Sequence, residues 1–342
     1  MIQVRDRSVT FLPPKDAAYL IGDFTDWDEE PLPITGPLTL EFPQGAYVEY
    51  AFMDANKQPM ADLSNPQKPK NPWYEYHRSI TLPHNRFKPP PRPQTFRGNV
   101  SEHVIHSSVF GSQRVYYVYE PAITPIATVY VQDGEAYYRK LQFHEVAEAL
   151  LEQQVIRPVR LVMIEPQDRT SEYWFNERYE AFLLKEMLPA VEQRYGVTLE
   201  RGLWGASLGG LVSAWLAWRN PQLFPKVASQ SGCFTAAPEG GDYYHDPEWL
   251  TQQFAATPRR PVRFYVETGQ IEWLLAPNRR FAAMLADKRY PHCYQEQPSG
   301  HNWATWEQGL ESGLKYLFGV DSDTLSPSEK SPKSAKQEMT SS

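Results

Sequence analysis

Short strand-like runs dominate the chain up to residue 82. They are rich in β-branched and aromatic residues, are separated by Pro, Gly, Asp and Asn, and show no stretch with the period of a helix. This pattern predicts a small all-β sandwich over residues 1–82. The predicted strands are Val9–Phe11, Ala18–Ile21, Leu38–Phe42, Tyr47–Met53 and Tyr74–Thr81.

After residue 98 the pattern changes, because apolar strand-like runs now alternate with amphipathic helices. The clearest helix covers Asn176–Arg194, with its large apolar residues on one face. Such alternation predicts a doubly wound, mostly parallel α/β sheet with helices on both faces. The predicted strands are Val115–Tyr119, Thr128–Val131, Val159–Ile164, Leu203–Trp204, Lys226–Ser229, Val262–Glu267 and Cys293–Gln295.

Two breaks in composition separate these regions. Residues 83–97 contain five prolines, four of them between residues 89 and 93, which predict an extended linker. Residues 320–342 are rich in Ser, Lys and Pro and nearly lack apolar side chains, so we expect a disordered tail. The predicted division is therefore a sandwich (1–82), a linker (83–97), an α/β domain (98–319) and a tail (320–342).

Charge and composition exclude several classes of partner. The net charge of −7 offers no electrostatic footprint for nucleic acid or for an anionic membrane surface. The 2 cysteines are too few for a disulfide framework, and no run approaches the roughly 18 apolar residues of a membrane span. The start of the chain does not have the pattern of a secretory signal, so the cytoplasm is the expected compartment.

The strongest chemical motif is Gly205-Ala206-Ser207-Leu208-Gly209. It follows a predicted strand and opens an apolar helix, which is the context of a nucleophile elbow. The glycines permit a turn in which the serine backbone is strained and its hydroxyl projects above the sheet. Ser207 is therefore the candidate nucleophile, with the Leu208 N–H at the helix start as an oxyanion donor.

A serine nucleophile needs a base and an acid that orients it. His301 is the candidate base, because it follows the last predicted strand on a Gly-containing loop. Two acids compete after the preceding strand: Glu267 at the strand end and Glu272 in the next turn. We favour Glu272, because the Gly269 turn can carry its carboxylate toward the histidine.

The second oxyanion donor is expected in the Gly-containing turn after Thr128–Val131, from the backbone N–H of Gly134 or Glu135. Arg169, after the next strand, is within reach of a substrate anion, although a solvated loop arginine is the simpler interpretation. No metal site is predicted, since His144 begins an H-E-x-x-E sequence in which Glu148 stands where a zinc motif needs histidine.

Residues from about Gly98 to Phe318 resemble the esterase D / enterochelin esterase family of α/β-hydrolases. The resemblance rests on GASLGG, GQIEWLLAPNRRFAAML and SGHNWATWEQGL, among other stretches. By motif it implies that Ser207 is the nucleophile, His301 the base and Glu272 the acid. The family implies acyl transfer without identifying the substrate.

The first domain resembles the immunoglobulin-like early-set domains related to glycogen-binding modules, through AYLIGDFTDWDEEPLPI and the stretch that follows. Trp27 falls on one sugar-stacking tryptophan of that family. Ala51 replaces a usual lysine, and Gln58-Pro59 occupy the site of a second tryptophan. We therefore expect a structural role in preference to carbohydrate binding.

These observations predict a serine carboxylic ester hydrolase that acts on a small-molecule ester through an acyl-enzyme, with no cofactor. Two alternatives remain. One is an acyltransferase or thioesterase on the same residues, and the other is a non-catalytic carbohydrate-binding or scaffold protein. The substrate is expected to depend on loops such as Phe234–Pro247 and on the first domain.

Overall fold

The computed structural model describes residues 2–71, 74–240 and 248–320. The expected disordered tail beyond residue 320 and residues 241–247 of the Phe234–Pro247 loop lie outside the described residues.

The N-terminal region is an all-β sandwich of two small sheets. One has the strand order β1-β2-β5, and the other has the order β4-β3-β6-β7, with β8 also paired to β6. All neighbouring strands are antiparallel. The strands are β1 (Ile2–Arg5), β2 (Ser8–Phe11), β3 (Tyr19–Gly22), β4 (Leu32–Pro33), β5 (Leu38–Glu41), β6 (Tyr47–Met53), β7 (Pro59–Met60) and β8 (Arg78–Thr81).

Apolar side chains from both sheets fill the space between them. Val9 and Phe11 on β2 meet Leu20 on β3 and Tyr50 and Phe52 on β6, and all five are fully buried. Residues two apart on one strand point to the same face, so the alternation in β2 aims this pair at the core. The first predicted domain therefore has the expected all-β architecture.

The second region contains one sheet of eight strands in the order β16-β15-β14-β13-β11-β12-β10-β9. The first six strands in this order, from β16 to β12, run parallel to one another. Strand β10 is antiparallel to both of its neighbours, β12 and β9. The strands are β9 (Asn99–Ser107), β10 (Ser112–Glu120), β11 (Ala127–Val131), β12 (Val159–Ile164), β13 (Glu200–Ala206), β14 (Lys226–Gln230), β15 (Arg263–Gly269) and β16 (His292–Gln297).

Eight α-helices lie within the described residues, and a π-helical turn over Leu183–Met187 joins α3 to α4. The helix predicted over Asn176–Arg194 corresponds to this continuous α3–π–α4 unit. The helices are α1 (Phe143–Glu152), α2 (Arg169–Tyr173), α3 (Glu177–Phe182), α4 (Leu188–Tyr195), α5 (Leu208–Arg219), α6 (Trp249–Ala256), α7 (Leu275–Asp287) and α8 (Trp303–Phe318).

The helices cover both faces of the large sheet. Helices α1 and α8 pack in one core with Tyr117 and Tyr119 of β10, whereas α3 to α7 pack in another core with Tyr116 and Val118 of the same strand. Consecutive strand residues thus point into opposite cores. The predicted α/β-hydrolase architecture, a doubly wound and mostly parallel sheet preceded by an all-β sandwich, is confirmed.

Strand β9 was not predicted, although it has nine residues. It lies at the edge of the sheet, where its exposed and half-buried positions alternate and its side chains are mostly polar. An edge strand lacks the continuous apolar run that marks a central one. Its pairing with β10 therefore comes from the tertiary structure more than from its own composition.

Residues 83–97 form no helix or strand, and they lie against the second domain. The Lys88 N–H donates to Gln308 Oε1 at 2.9 Å, and the Gln94 N–H donates to Glu152 Oε2 at 2.8 Å. These contacts hold the linker on α8 and α1.

Over the described residues, no helix is both long and apolar enough to cross a membrane.

Candidate active site

Ser207 lies in the tight turn between β13 and α5 and has φ 57° and ψ −122°. A positive φ is strained for a residue with a Cβ and is typical of a nucleophile elbow. A Cβ on Gly205 would overlap the backbone of Gly209, so this pair must be small for strand and helix to approach. The Ser207 hydroxyl is thereby carried to the carboxyl edge of the sheet.

The segment after β14 holds the elbow in place. The Ser207 N–H donates to the Gln230 carbonyl at 2.8 Å, and the Cys233 N–H donates to the Ser207 carbonyl at 3.1 Å. Two backbone hydrogen bonds thus fix the strained residue against residues 230–233 and oppose its relaxation.

Glu272 and His301 are in direct contact, with 2.9 Å between His301 Nδ1 and Glu272 Oε2. The other carboxylate oxygen accepts hydrogen bonds from the Thr268 hydroxyl and from the Gly269 N–H. The Glu272 side chain is fully buried and that of His301 is 12% exposed. A buried, hydrogen-bonded carboxylate fixes the orientation of the imidazole and leaves Nε2 for chemistry.

Two tryptophans enclose the His301 ring. Trp273 lies 4.5 Å from it and Trp306 5.1 Å from it, centroid to centroid, the second at 90°. The Trp306 indole donates to the Ser231 hydroxyl at 3.0 Å, within the same 230–233 segment that holds Ser207. Ser207, Glu272 and His301 follow β13, β15 and β16, whose carboxyl ends share one edge of the sheet.

Glu267, the competing acid, lies elsewhere. It is fully buried in β15, where it accepts hydrogen bonds from the Gln230 amide at 2.5 Å and the Tyr265 hydroxyl at 2.9 Å. Burial raises its pKa to about 8. Its carboxylate packs beneath α8, where a Cβ on Gly309 would collide with it. The structure therefore gives the histidine contact to Glu272 and not to Glu267.

The three predicted oxyanion donors differ in their surroundings. Leu208 is the first residue of α5, so its N–H has no acceptor within the helix. The Glu135 N–H donates to Glu165 Oε2 at 2.7 Å, and burial raises the pKa of Glu165 to about 7. Within the described part of the chain, hydrogen bonds engage the amide of Glu135 but not that of Gly134.

Arg169 is not the solvated loop residue that the sequence suggested. Its guanidinium forms two hydrogen bonds with Asp133, at 2.7 and 2.9 Å, and a third with the Ala206 carbonyl at 3.1 Å. Asp133 has φ 56° and lies beside the elbow, within 3.2 Å of a Cβ placed on Gly209. A cavity of about 560 Å³ opens beside this ion pair. Sequence reasoning missed the pair because 36 residues separate its members.

The sandwich also reaches the site, which the sequence did not reveal. Asp23 Oδ2 accepts a hydrogen bond from the Asn302 amide at 2.9 Å, next to His301. Asp26 interacts with the backbone of Trp273, and its pKa is raised to about 6, chiefly by burial. Both aspartates lie in the stretch that resembles early-set domains, which gives no sign of this contact, because 279 residues separate Asp23 from Asn302.

Trp27, the possible sugar-stacking residue, lies against its own domain. Its ring stacks on His77 with 3.7 Å between centroids and 9° between planes. It also packs on the cluster of Ile21, Ala51 and Met53. One face of the Trp27 ring is therefore covered by another ring.

Among the described residues, no group of three His, Cys, Asp or Glu side chains is arranged to hold a metal ion.

The family model described as "Putative esterase" matches residues 107–317, which include the elbow, Glu272 and His301. The chain belongs to this esterase family.

Among curated relatives, "Uncharacterized protein YbbA" of Bacillus subtilis is 30% identical over 161 residues, which are 40% of this chain and 62% of the relative. The Iron(III) salmochelin esterase of Escherichia coli is 24% identical over 229 residues, which are 62% of this chain and 56% of the relative. The matched region thus spans about six tenths of the length of each relative.

Solved structures show the same fold. The enterobactin esterase of Shigella flexneri, determined in the presence of enterobactin, superposes with a TM-score of 0.71 at 20% identity. The superposition covers 93% of this chain and 95% of the other. A ferulic acid esterase superposes with a TM-score of 0.56 at 18% identity, over 65% of this chain and 99% of the other. The first likeness extends over both domains.

Proposed function

We propose that this esterase-family chain hydrolyses carboxylic esters, with Ser207 as the nucleophile, His301 as the general base and Glu272 as the acid that orients it. The observation that carries the proposal is the 2.9 Å contact between His301 Nδ1 and Glu272 Oε2. This contact lies at the same sheet edge as a strained elbow serine. The combination supplies each member of a serine hydrolase triad.

In the proposed reaction His301 Nε2 takes the hydroxyl proton as Ser207 Oγ attacks the ester carbonyl carbon. The carbonyl π electrons move to oxygen, and the tetrahedral intermediate collapses as the ester C–O bond breaks and His301 returns the proton to the leaving alkoxide. A water molecule, deprotonated by the same histidine, then attacks the acyl-enzyme and releases the acid. Glu272 holds the histidine tautomer and stabilises the imidazolium in both steps.

For the oxyanion we propose the N–H groups of Leu208 and Gly134. The Leu208 amide opens α5 and adds the partial positive charge of the helix N-terminus. Gly134 is preferred to Glu135, because the Glu135 amide already donates to the Glu165 carboxylate.

All catalytic groups of the proposed reaction belong to the protein, and the reaction needs no metal or organic cofactor. Treatment with EDTA should leave the rate unchanged, and metal-dependent recovery of a lost rate would contradict this.

For the substrate class we propose the ester linkages of a siderophore of the enterobactin type. The support is that the likeness to the enterobactin esterase covers 93% of this chain, sandwich included, whereas that to the ferulic acid esterase covers 65%. The sandwich contacts the histidine loop, so a shared first domain bears on the shape of the site.

The experiment combines a substrate panel with covalent labelling. Purified protein is incubated with enterobactin, a feruloyl ester and p-nitrophenyl butyrate, with and without added alcohol and thiol acceptors, and is labelled with a fluorophosphonate probe. We expect hydrolysis and one label on Ser207, both lost in Ser207→Ala. Ser213→Ala is the matched control, because this buried serine lies in α5 and donates only to the Gly209 carbonyl.

Labelling that persists in Ser207→Ala would overturn the assignment of the nucleophile. Turnover that appears only with an acceptor would show an acyltransferase. Hydrolysis of feruloyl ester but not of enterobactin would overturn the substrate class while leaving the triad intact.

A further inference from the structure

The loop that carries His301 is held at both ends by the sandwich. At its start, the Tyr47 N–H donates to the Pro298 carbonyl at 2.9 Å. At its end, the Asn302 amide donates to Asp23 Oδ2, also at 2.9 Å. His301, the candidate catalytic base, lies between these two anchors. Its geometry therefore depends on a domain that precedes it by more than 200 positions in the chain.

The Asp23 side chain occupies a site that fits it closely. Asp23 is 1% exposed, and its Oδ2 accepts a second hydrogen bond from the Glu49 N–H at 2.7 Å. A Cβ on Gly300 would overlap the Asp23 carboxyl group, so only glycine at this position lets the two domains approach. The carboxyl group is thus locked between β6 and the residue that precedes His301.

Asn302 divides its two amide atoms between two tasks. Its Oδ1 caps α8 by accepting the Thr305 N–H at 3.0 Å, and its Nδ2 donates to Asp23 and, within the loop, to Ser299 Oγ at 3.1 Å. A carboxylate at this position would keep the cap but would lose the N–H donor. The two functions can therefore be separated by one substitution.

We propose that Asp23 of the sandwich is a positioning residue for His301, which acts by fixing Asn302 and Gly300 on either side of the histidine. Asp23 does not touch the reacting atoms. Its hydrogen bond sets the backbone from which the imidazole reaches Ser207, and an error of about 1 Å in such a position can cost roughly a hundredfold in rate. This inference rests on the proposed function.

The test measures kcat and KM with p-nitrophenyl butyrate and the rate of fluorophosphonate labelling in the full-length chain. Asp23→Ala should lower kcat and the labelling rate about tenfold to a hundredfold, with KM changed less than about threefold. Asp23→Asn should keep most of the activity. The reason is that a carboxamide oxygen at position 23 can accept the same two hydrogen bonds, from the Asn302 amide and from the Glu49 N–H.

A donor–acceptor exchange guards against general unfolding. Asn302→Asp should lower kcat, because two carboxyl groups then face each other without a donor amide. Adding Asp23→Asn to it should restore activity, since the amide at position 23 can donate to the carboxylate at position 302. Residues in contact couple in either case, so the deciding readouts are kcat and the labelling rate, measured at a temperature at which every variant is folded.

Asp62→Ala is the matched control. Asp62 is buried in the same sandwich, where it accepts hydrogen bonds from the Tyr50 hydroxyl at 2.7 Å and from the Ser64 N–H at 2.9 Å. This variant should lose thermal stability while keeping kcat.

Three results would overturn the inference: unchanged kcat and labelling in Asp23→Ala, no recovery in the double variant, or an equal loss of kcat in Asp62→Ala. These are distinct from failure of the proposed function, in which wild-type protein neither hydrolyses esters nor is labelled at Ser207, and the inference falls with it.

Discussion

At the residue scale, two buried glutamates five positions apart have opposite roles because of their neighbours. Glu272 contacts a histidine ring nitrogen, a hydroxyl and a backbone N–H. Glu267 is fully buried among neutral partners that include the Gln230 amide and the Tyr265 hydroxyl, and burial raises its pKa to about 8. These surroundings are the basis for the proposal that Glu272 orients the histidine and that Glu267 is a structural group.

This contrast predicts unequal effects on catalysis. Glu272→Gln should lower kcat by roughly a hundredfold or more, because the histidine loses the anion that fixes its tautomer. Glu267→Gln should change kcat only a few-fold, since its carboxyl group makes no contact with His301. Steady-state kinetics on both variants, with folding checked by circular dichroism, decides between them. A larger loss in Glu267→Gln would show that the acid has been assigned wrongly.

The raised pKa of Glu267 also predicts how stability depends on pH. In the unfolded chain this carboxyl titrates at about 4.3, and in the folded protein at about 8. The folded state binds the extra proton between these values, so this residue's contribution to stability is present at low pH and is lost as pH rises toward 8. Glu267→Gln should therefore gain stability relative to wild type as pH rises. Thermal melts of wild type and Glu267→Gln at about pH 5 and about pH 8.5 measure this change in relative stability. A difference in melting temperature that is equal at both pH values would contradict the prediction.

At the element scale, the elbow is a junction at which a strand and a helix approach more closely than side chains allow. A Cβ on Gly205 would overlap the Gly209 backbone, and one on Gly210 would lie 2.6 Å from the Ser229 hydroxyl. The strain at Ser207 is held by hydrogen bonds to Gln230 and Cys233. The glycines therefore belong to the geometry of the nucleophile as well as to the fold.

We expect Gly205→Ala to destabilise the protein by about 1–3 kcal/mol or more, because the added methyl group must push the backbone of α5 away from β13. Activity should fall further than stability, since Ser207 moves with the helix. Gly36→Ala is the control, as a Cβ there meets no atom within 4 Å. Equal thermal melting and equal activity of the two variants would contradict this account of the elbow.

At the scale of the whole molecule, the sandwich and the α/β domain share a continuous interface beside the active site. Ile271, one residue before Glu272, packs against the sandwich core, and Lys70 pairs with Glu307 of α8 at 2.5 Å. Together with the Asp23–Asn302 bond, these contacts make the first domain part of the support of the catalytic loops.

We predict that the sandwich does not bind glucans. The Trp27 ring is stacked on His77, so one of its faces is already covered by a partner. Affinity electrophoresis in glycogen-containing gels should show no retardation of wild-type protein, and Trp27→Ala should migrate in the same way. Clear retardation that disappears in Trp27→Ala would overturn this prediction and favour a carbohydrate ester as substrate.

Local sequence was enough to predict what local geometry controls. The alternation of strands and helices gave the doubly wound sheet, since burial on two faces demands continuous apolar strands. The residues Gly205–Gly209 gave the elbow, because only such a glycine-flanked turn brings strand and helix together. Their order along the chain then put Ser207, Glu272 and His301 after three parallel strands whose carboxyl ends share one edge.

Tertiary structure alone decided which of these groups meet. The Gly269 turn favoured Glu272 over Glu267 already in the sequence, but only the folded chain shows the 2.9 Å contact between Glu272 Oε2 and His301 Nδ1. Arg169 pairs with Asp133 across two strands, and Asp23 bonds Asn302 across 279 residues. Such contacts are set by how the sheet packs and how the two domains dock, and neither arrangement leaves a periodic or local signature in the chain.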